Sequence, residues 1–324
     1  MKTRFLLFSA VLGCMLFVSC AKDYSHWMKA LPDDMPAWQV SMPGSHDAAT
    51  GTIPADDPAK MYAGTQTYDL ETQFKMGVRA YDLRPGFNNN DVSCLRIMHS
   101  YVDAGVSADE AVGTLASMLE QNPSEFVVIV TRIEDTNYSD EELTAAKDSL
   151  SAIEKKYCDR GVAIDSFKAG LTVGDLRGKI LFINRNDFGE DRFWCGARAY
   201  GWDEGRSMAG KDGVKVKINV QDEYEWEKDA FFARGKVSCF MDHARAFLSE
   251  KDEVWSVNHV SGYYFRDGYP HPHEFAAEVA PVLCESLDAW KEDGSLGIVL
   301  LDYSGDPQYK GDVLIKKIVE RNFR

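Results

Sequence analysis

The sequence predicts an α/β protein folded as a single (β/α)8 barrel of the TIM type. Three observations carry that expectation. Short apolar runs rich in Val and Ile alternate with longer mixed stretches along the chain, and strands alternating with helices imply a parallel sheet with helices packed outside it. The chain has 324 residues, which exceeds a minimal domain and suits one closed barrel better than an open sheet. No G-x-G-x-x-G opens a helix after the first strand and no P-loop is present, so the nucleotide-binding folds lack their usual signature.

The first segment stands apart from the barrel. Lys2 and Arg4 precede an apolar run from Phe5 to Val18. That run is shorter than the roughly 20 residues of a membrane-crossing helix and reads as a secretory signal. Ser19 and Cys20 follow it, and Ala21-Lys22-Asp23 turn polar. An apolar run ending in V-S-C has the pattern of a lipoprotein signal, in which Cys20 is acylated; ordinary secretion is the alternative. The expected division is 1–20 as signal and 21–324 as one catalytic barrel, exported and held at a membrane or secreted.

Within the barrel, F-V-V-I-V-T (Phe126 to Thr131) is continuous and β-branched, as a strand buried on both faces should be. I-L-F-I-N (Ile180 to Asn184) and G-I-V-L-L-D (Gly297 to Asp302) are similar. Weaker strands are expected at Trp38 to Met42, Val78 to Leu83, Val216 to Val220 and Trp255 to His259. One helix should begin near Ser107, with Asp109 and Glu110 in its first turn, and end before Asn122-Pro123. Others are expected over Asp140 to Lys156, Lys228 to Leu248, Glu274 to Ala289 and Asp312 to Glu320. No linker rich in Pro, Gly or Ser divides the chain, and no internal repeat is evident.

Charge and cysteine content narrow the function classes. The formal net charge of −15 argues against nucleic acid, which needs a basic face, and against strong adhesion to anionic lipid. The acid sits in stretches such as Asp140-Glu141-Glu142 and Glu223 to Glu227, a solvated exterior that does not forbid a local arginine pocket. Beyond Cys14 and Cys20, five cysteines remain, Cys94, Cys158, Cys195, Cys239 and Cys284. An odd, widely spaced set is no disulfide framework, no C-x-x-C occurs, and small apolar filler is the expected role. His271-Pro-His273 hints at a metal, but nearby carboxylates are too common to build on.

The chemistry concentrates in His46, in V-S-M-P-G-S-H-D, and His99, in C-L-R-I-M-H-S, with Asp82 and Arg84 between them in V-R-A-Y-D-L-R-P. Each piece reads as a strand end running into a loop, where a barrel enzyme keeps its reactive groups. Two imidazoles with carboxylates and a guanidinium suit acid–base displacement at phosphorus. One histidine takes a proton from the nucleophile, the other gives one to the leaving group, and the arginine holds the phosphate.

These segments carry a resemblance. W-M-K-A-L-P-D-D-M-P, V-S-M-P-G-S-H-D, Q-T-Y-D-L and G-V-R-A-Y-D-L-R, in that order, resemble the opening of bacterial phosphatidylinositol-specific phospholipase C. N-P-S-E-F-V-V-I-V-T-R-I-E, D-L-R-G-K-I-L-F-I-N-R, N-V-Q-D-E-Y and I-V-L-L-D-Y continue it. The resemblance implies a distorted barrel that cleaves phosphatidylinositol to inositol 1,2-cyclic phosphate and diacylglycerol. His46 would be the general base, oriented by Asp302. His99 would be the general acid with Asp47 as its partner, and Arg84, with Asp82 beside it, would bind phosphate. Arg132, Arg185 and Asp222 would bind ring hydroxyls, and Tyr224 would pack on the sugar face. No cofactor and no metal is implied, because Arg84 stands where calcium-dependent relatives hold their metal. The implied partner is phosphatidylinositol in a membrane surface, for a monomer that needs no protein partner.

The chain departs from the family at Arg132, where Lys is usual, and at His99-Ser100-Tyr101, where the family has His-Gly-Pro. Met61 and Tyr62 replace a membrane-inserting tryptophan found in some relatives. Tyr263, Tyr264, Phe265 and Tyr269 form an aromatic cluster suited either to lipid or to loop packing. Two other functions remain open at this level: a related phosphodiesterase acting on glycosyl-phosphatidylinositol or another glycerophosphodiester, and a non-catalytic polyol-binding lipoprotein.

Overall fold

The computed structural model describes residues 24–88, 91–134, 137–202 and 207–324. The expected signal segment, with Cys14 and Cys20, lies outside the described residues. In chain order the elements are β1 (Met42–Ser45), α1 (Lys60–Ala63), α2 (Leu70–Met76), β2 (Ala80–Leu83), β3 (Pro85–Asn88), β4 (Asp91–His99), β5 (Val102–Ser107) and α3 (Ala108–Gln121). Then come β6 (Val127–Thr131), α4 (Asp140–Asp159), α5 (Val173–Leu176), β7 (Ile180–Asn184), β8 (Ala197–Tyr200), β9 (Ser207–Ala209), β10 (Lys215–Gln221) and α6 (Phe232–Leu248). The chain closes with β11 (Val254–His259), β12 (Phe265–Arg266), β13 (Tyr269–Pro270), α7 (Pro272–Ala289), β14 (Ile298–Leu301) and α8 (Gly311–Glu320).

The barrel closes in the order β1-β14-β11-β10-β9-β8-β7-β6-β2. Its pairings are parallel except at β9, which runs antiparallel to both β8 and β10. The expected distortion of an eight-stranded parallel barrel is thus a ninth, inverted strand. Strands β6, β7 and β11 are buried along their whole length, because the barrel interior covers one face and the helices the other.

Two local readings shift. The first strand runs over Met42–Ser45, not Trp38 to Met42, because Ala37–Gln39 forms a 3-10 turn and pairing with β14 starts at Met42. The segment holding His99 is no barrel strand. It belongs to a separate antiparallel sheet, β3-β4-β5, inserted between β2 and α3.

The helix starts follow their caps. Ser107 and Glu110 form a capping box at α3, and Ser139 and Glu142 do so at α4, each satisfying amide donors that the first turn leaves unpaired. Helix α6 starts at Phe232 and α7 at Pro272 rather than at Lys228 and Glu274; in α7, proline occupies a first-turn position, where no amide hydrogen is needed. Among the described residues no helix is long and apolar enough to cross a membrane.

Beneath β2 and β6, the Arg79 guanidinium meets Glu125 at 2.9 Å with both side chains fully buried. Arg79 also donates to the carbonyls of Phe74, Val78 and Ser25, so the charge is enclosed by acceptors as burial demands.

Candidate active site

The carboxyl ends of the barrel strands converge on one cavity of about 450 Å³. Serine ends β1, and His46 and Asp47 follow it; Asp82 lies on β2 with Arg84 just beyond; Arg132, Arg185, Asp222 and Asp302 each come directly after the last residue of β6, β7, β10 and β14. His99 arrives from outside the barrel as the last residue of β4. All of these but Ser45 and Asp82 line the cavity, as does Tyr224; Asp82 lies behind Arg84 and accepts from its Nη2 at 3.1 Å.

His46 is held from both sides. Its Nδ1 lies 2.9 Å from Asp302 Oδ1, and its Nε2 faces Arg84 Nη2 at 2.9 Å and Asp47 Oδ2 at 3.2 Å. Burial works against the imidazolium, but Asp47 and Asp302 outweigh it, and the pKa rises to about 9. Gly262 N–H donates to the other Asp302 oxygen at 3.2 Å and fixes the carboxylate in turn.

Asp47 adopts the left-handed conformation, with φ of 42°. This turns its carboxylate back toward the cavity, with Oδ1 2.7 Å from Arg84 Nε and Oδ2 3.5 Å from His99 Nε2. It therefore stands between the two imidazoles, slightly nearer His46. His99 Nδ1 lies 2.7 Å from the Ala63 carbonyl. A carbonyl only accepts, so Nδ1 carries its proton and Nε2 is the nitrogen presented to the site. Burial opposes the charge on Arg84, but Asp47 and Asp82 keep it firmly protonated. Asp82 stays ionised despite burial because Arg84 and His46 hold its pKa well below the usual range.

A second group lines the rest of the cavity. The Arg185 guanidinium lies over Trp202, 4.5 Å from the ring centroid. Asp222 Oδ1 is 3.4 Å from His259 Nδ1. Burial alone would raise the Asp222 pKa, but His259, His46 and Arg185 lower it. Arg132 is exposed, and Tyr224 is half exposed with its ring 5.9 Å from Tyr263.

Several contributors were not legible in the sequence. His259 is buried beside Asp222 and meets the His46 ring edge-on at 5.8 Å; burial drops its pKa to about 4. Its place at the end of the Trp255 to His259 run was the available signal. Glu134 lines the cavity and accepts from Ser100 N–H at 3.0 Å. Gln66 donates to the carbonyls of His46 and Leu301, tying the start of the first loop to β14. The rim aromatics divide: Tyr264 is buried against Phe232, whereas Phe265 and Tyr269 are exposed and Tyr62 lies 6.2 Å from Tyr269.

Among the described residues two groups of donors are close enough to hold a cation. His46, Asp47 and Asp82 form one, and His271, His273 and Glu274 the other. In each an arginine takes the cationic place: Arg84 in the first, and Arg266, which reaches His271 Nδ1 at 3.3 Å and pairs with Glu274, in the second.

Similarity to known proteins follows the same outline. A 1-phosphatidylinositol phosphodiesterase of Staphylococcus aureus is 25% identical over 314 residues, covering 94% of this chain and 96% of that protein. One of Listeria monocytogenes is 31% identical over 166 residues, 49% of this chain and 48% of the relative. Among solved structures, a phosphatidylinositol-specific phospholipase C of Staphylococcus aureus superposes with a TM-score of 0.74 at 21% identity, over 93% of this chain and 98% of that one. That of Listeria monocytogenes gives 0.71 at 21%, over 92% and 98%. No protein-family model matches the chain.

Proposed function

We propose that this chain, a relative of the bacterial phosphatidylinositol-specific phospholipases C, cleaves phosphatidylinositol to inositol 1,2-cyclic phosphate and diacylglycerol without a metal. The observation that carries the reading is the pair of imidazoles on one carboxylate, Asp47, which also holds Arg84, each imidazole turned by its own fixed acceptor: His46 by Asp302, His99 by the Ala63 carbonyl.

In this mechanism His46 Nε2 takes the proton of the inositol 2-hydroxyl. The freed oxygen attacks phosphorus, the bond to the glycerol oxygen breaks, and His99 Nε2–H protonates that oxygen. The nucleophile is already tethered to the phosphorus, so little entropy is lost in bringing them together. Arg84 meets the charge that builds on the phosphoryl oxygens. Asp47, between the two nitrogens, supports the charged form of whichever imidazole carries the proton. The second half of the cavity, Arg132, Arg185, Asp222 and Tyr224, holds the ring, since a polyol is selected by polar groups that a wrong sugar leaves unpaired. Exposed Met61, Phe265 and Tyr269 give the mouth an amphipathic edge suited to a lipid surface. Export, with acylation at Cys20, would keep a monomer at that surface.

The test compares two leaving groups. His46→Ala and His99→Ala should each cost about 10²–10⁴-fold in kcat on phosphatidylinositol. With an aryl phosphodiester of inositol, whose leaving oxygen needs no proton, the His99 loss should shrink and the His46 loss should persist. Equal losses on both substrates contradict the assignment of acid and base.

A further inference from the structure

Ser100 occupies a position where the backbone asks for glycine. It is the first of two residues joining β4 to β5, since His99 pairs directly with Val102. Its φ is +55°, and Tyr101 is not among the positive-φ residues. A two-residue hairpin loop with positive φ at its first position only is the pattern that favours glycine there, because a Cβ is strained in that conformation. Serine carries the strain. Strain held beside reactive groups motivates a search for what the side chain does.

Two anchors hold the turn. Ser100 N–H donates to Glu134 Oε1 at 3.0 Å, and the preceding His99 is tied to the Ala63 carbonyl at 2.7 Å. The half-buried Ser100 lines the cavity together with His99, Thr65 and Glu134. Among the described residues its hydroxyl has no hydrogen-bond partner. Ser100 directly follows His99 in the chain, whereas Arg185 and Asp222 come from β7 and β10, separated in the barrel from the β2 that leads into the small sheet; of the ring-binding group Arg132 alone comes from β6, the neighbour of β2. Ser100 therefore stands on the side of the general acid, where the leaving group departs.

Building on the proposed reaction, we propose that Ser100 is a specificity-determining residue whose hydroxyl donates a hydrogen bond to the departing glycerol moiety while His99 protonates the leaving oxygen. The strained serine is kept because glycine would offer the same turn without the donor.

Two variants and two substrates test this. Ser100→Ala keeps a Cβ and loses the hydroxyl; Ser100→Gly loses both and relieves the strain. On phosphatidylinositol in detergent micelles each should lower kcat/KM by roughly 5- to 10-fold, the effect of one neutral hydrogen bond. On the methyl phosphodiester of inositol, which lacks the glycerol, the loss should be far smaller. Inhibition by free myo-inositol should not change. Ser100→Gly should also raise Tm by about 1–3 °C, so the less active variant is the more stable one. Unchanged activity on phosphatidylinositol, or equal losses on both substrates, would overturn the role. Wild-type protein that turned over neither substrate would instead overturn the parent reaction, a separate outcome.

Discussion

His46 sits in a field that favours its charged form, and a base must be neutral to act. With its pKa near 9, the acid limb of kcat/KM should follow its deprotonation. Asp302→Asn removes one anion and one charge-assisted hydrogen bond, so the His46 pKa should fall toward its ordinary value of 6.5 and the limb should move to lower pH. The maximal rate should fall as well, because a carboxamide, with a donor as well as an acceptor, no longer enforces the tautomer protonated at Nδ1. A pH profile of Asp302→Asn with an unmoved acid limb would contradict the assignment. At this scale the sequence is legible where chemistry is local. His46 and Asp47 adjoin in one motif, and Asp82 and Arg84 in another. Asp302 lies 256 residues from the imidazole it orients, and only the resemblance paired them. His259 and Glu134 escaped because their meaning comes from what the fold packs against them.

Helix α4 carries a buried carboxyl with no place in the proposed reaction. Glu154 accepts from Cys195 N–H at 2.9 Å and from Asn184 Nδ2 at 3.4 Å, behind the strand end that presents Arg185. Burial pushes its pKa from 4.5 up to about 8, against the lowering effect of those donors. The folded chain therefore keeps a proton that the unfolded chain gives up above about 4.5, and stability should decline as pH rises through the interval between these values. Glu154→Gln imitates the neutral acid and should flatten that decline, as thermal melts between pH 5 and 8 would show; an unchanged slope would place the titration elsewhere. Elements were legible where pattern and caps coincide, as at the Ser107 box of α3 and the continuous apolar runs of β6 and β7. They were not where strands are short or half exposed. Strand β8 is buried only at Ala197, β9 has three residues, and the first half of β4 is exposed, so none offers the long apolar run by which barrel strands were read.

For the whole molecule, the barrel keeps stability and reaction at opposite ends. The fully buried Arg79–Glu125 pair lies below β2 and β6, while the reactive groups lie at the other ends of the strands. Glu125→Ala would leave a guanidinium buried without its partner and should cost about 3–5 kcal/mol in denaturant unfolding, whereas Asp222→Ala at the solvent-open end should cost far less stability and weaken myo-inositol inhibition. A comparable loss of stability from both would contradict this division. In the proposed reaction two histidines and one arginine cyclise an inositol phosphodiester without a metal. Phosphorus NMR of the products released from phosphatidylinositol vesicles, recorded in excess EDTA, tests it most directly. Inositol 1,2-cyclic phosphate should be the first product, formed as fast as with added calcium. Loss of turnover on chelation, or a first product that is acyclic inositol phosphate, would contradict it.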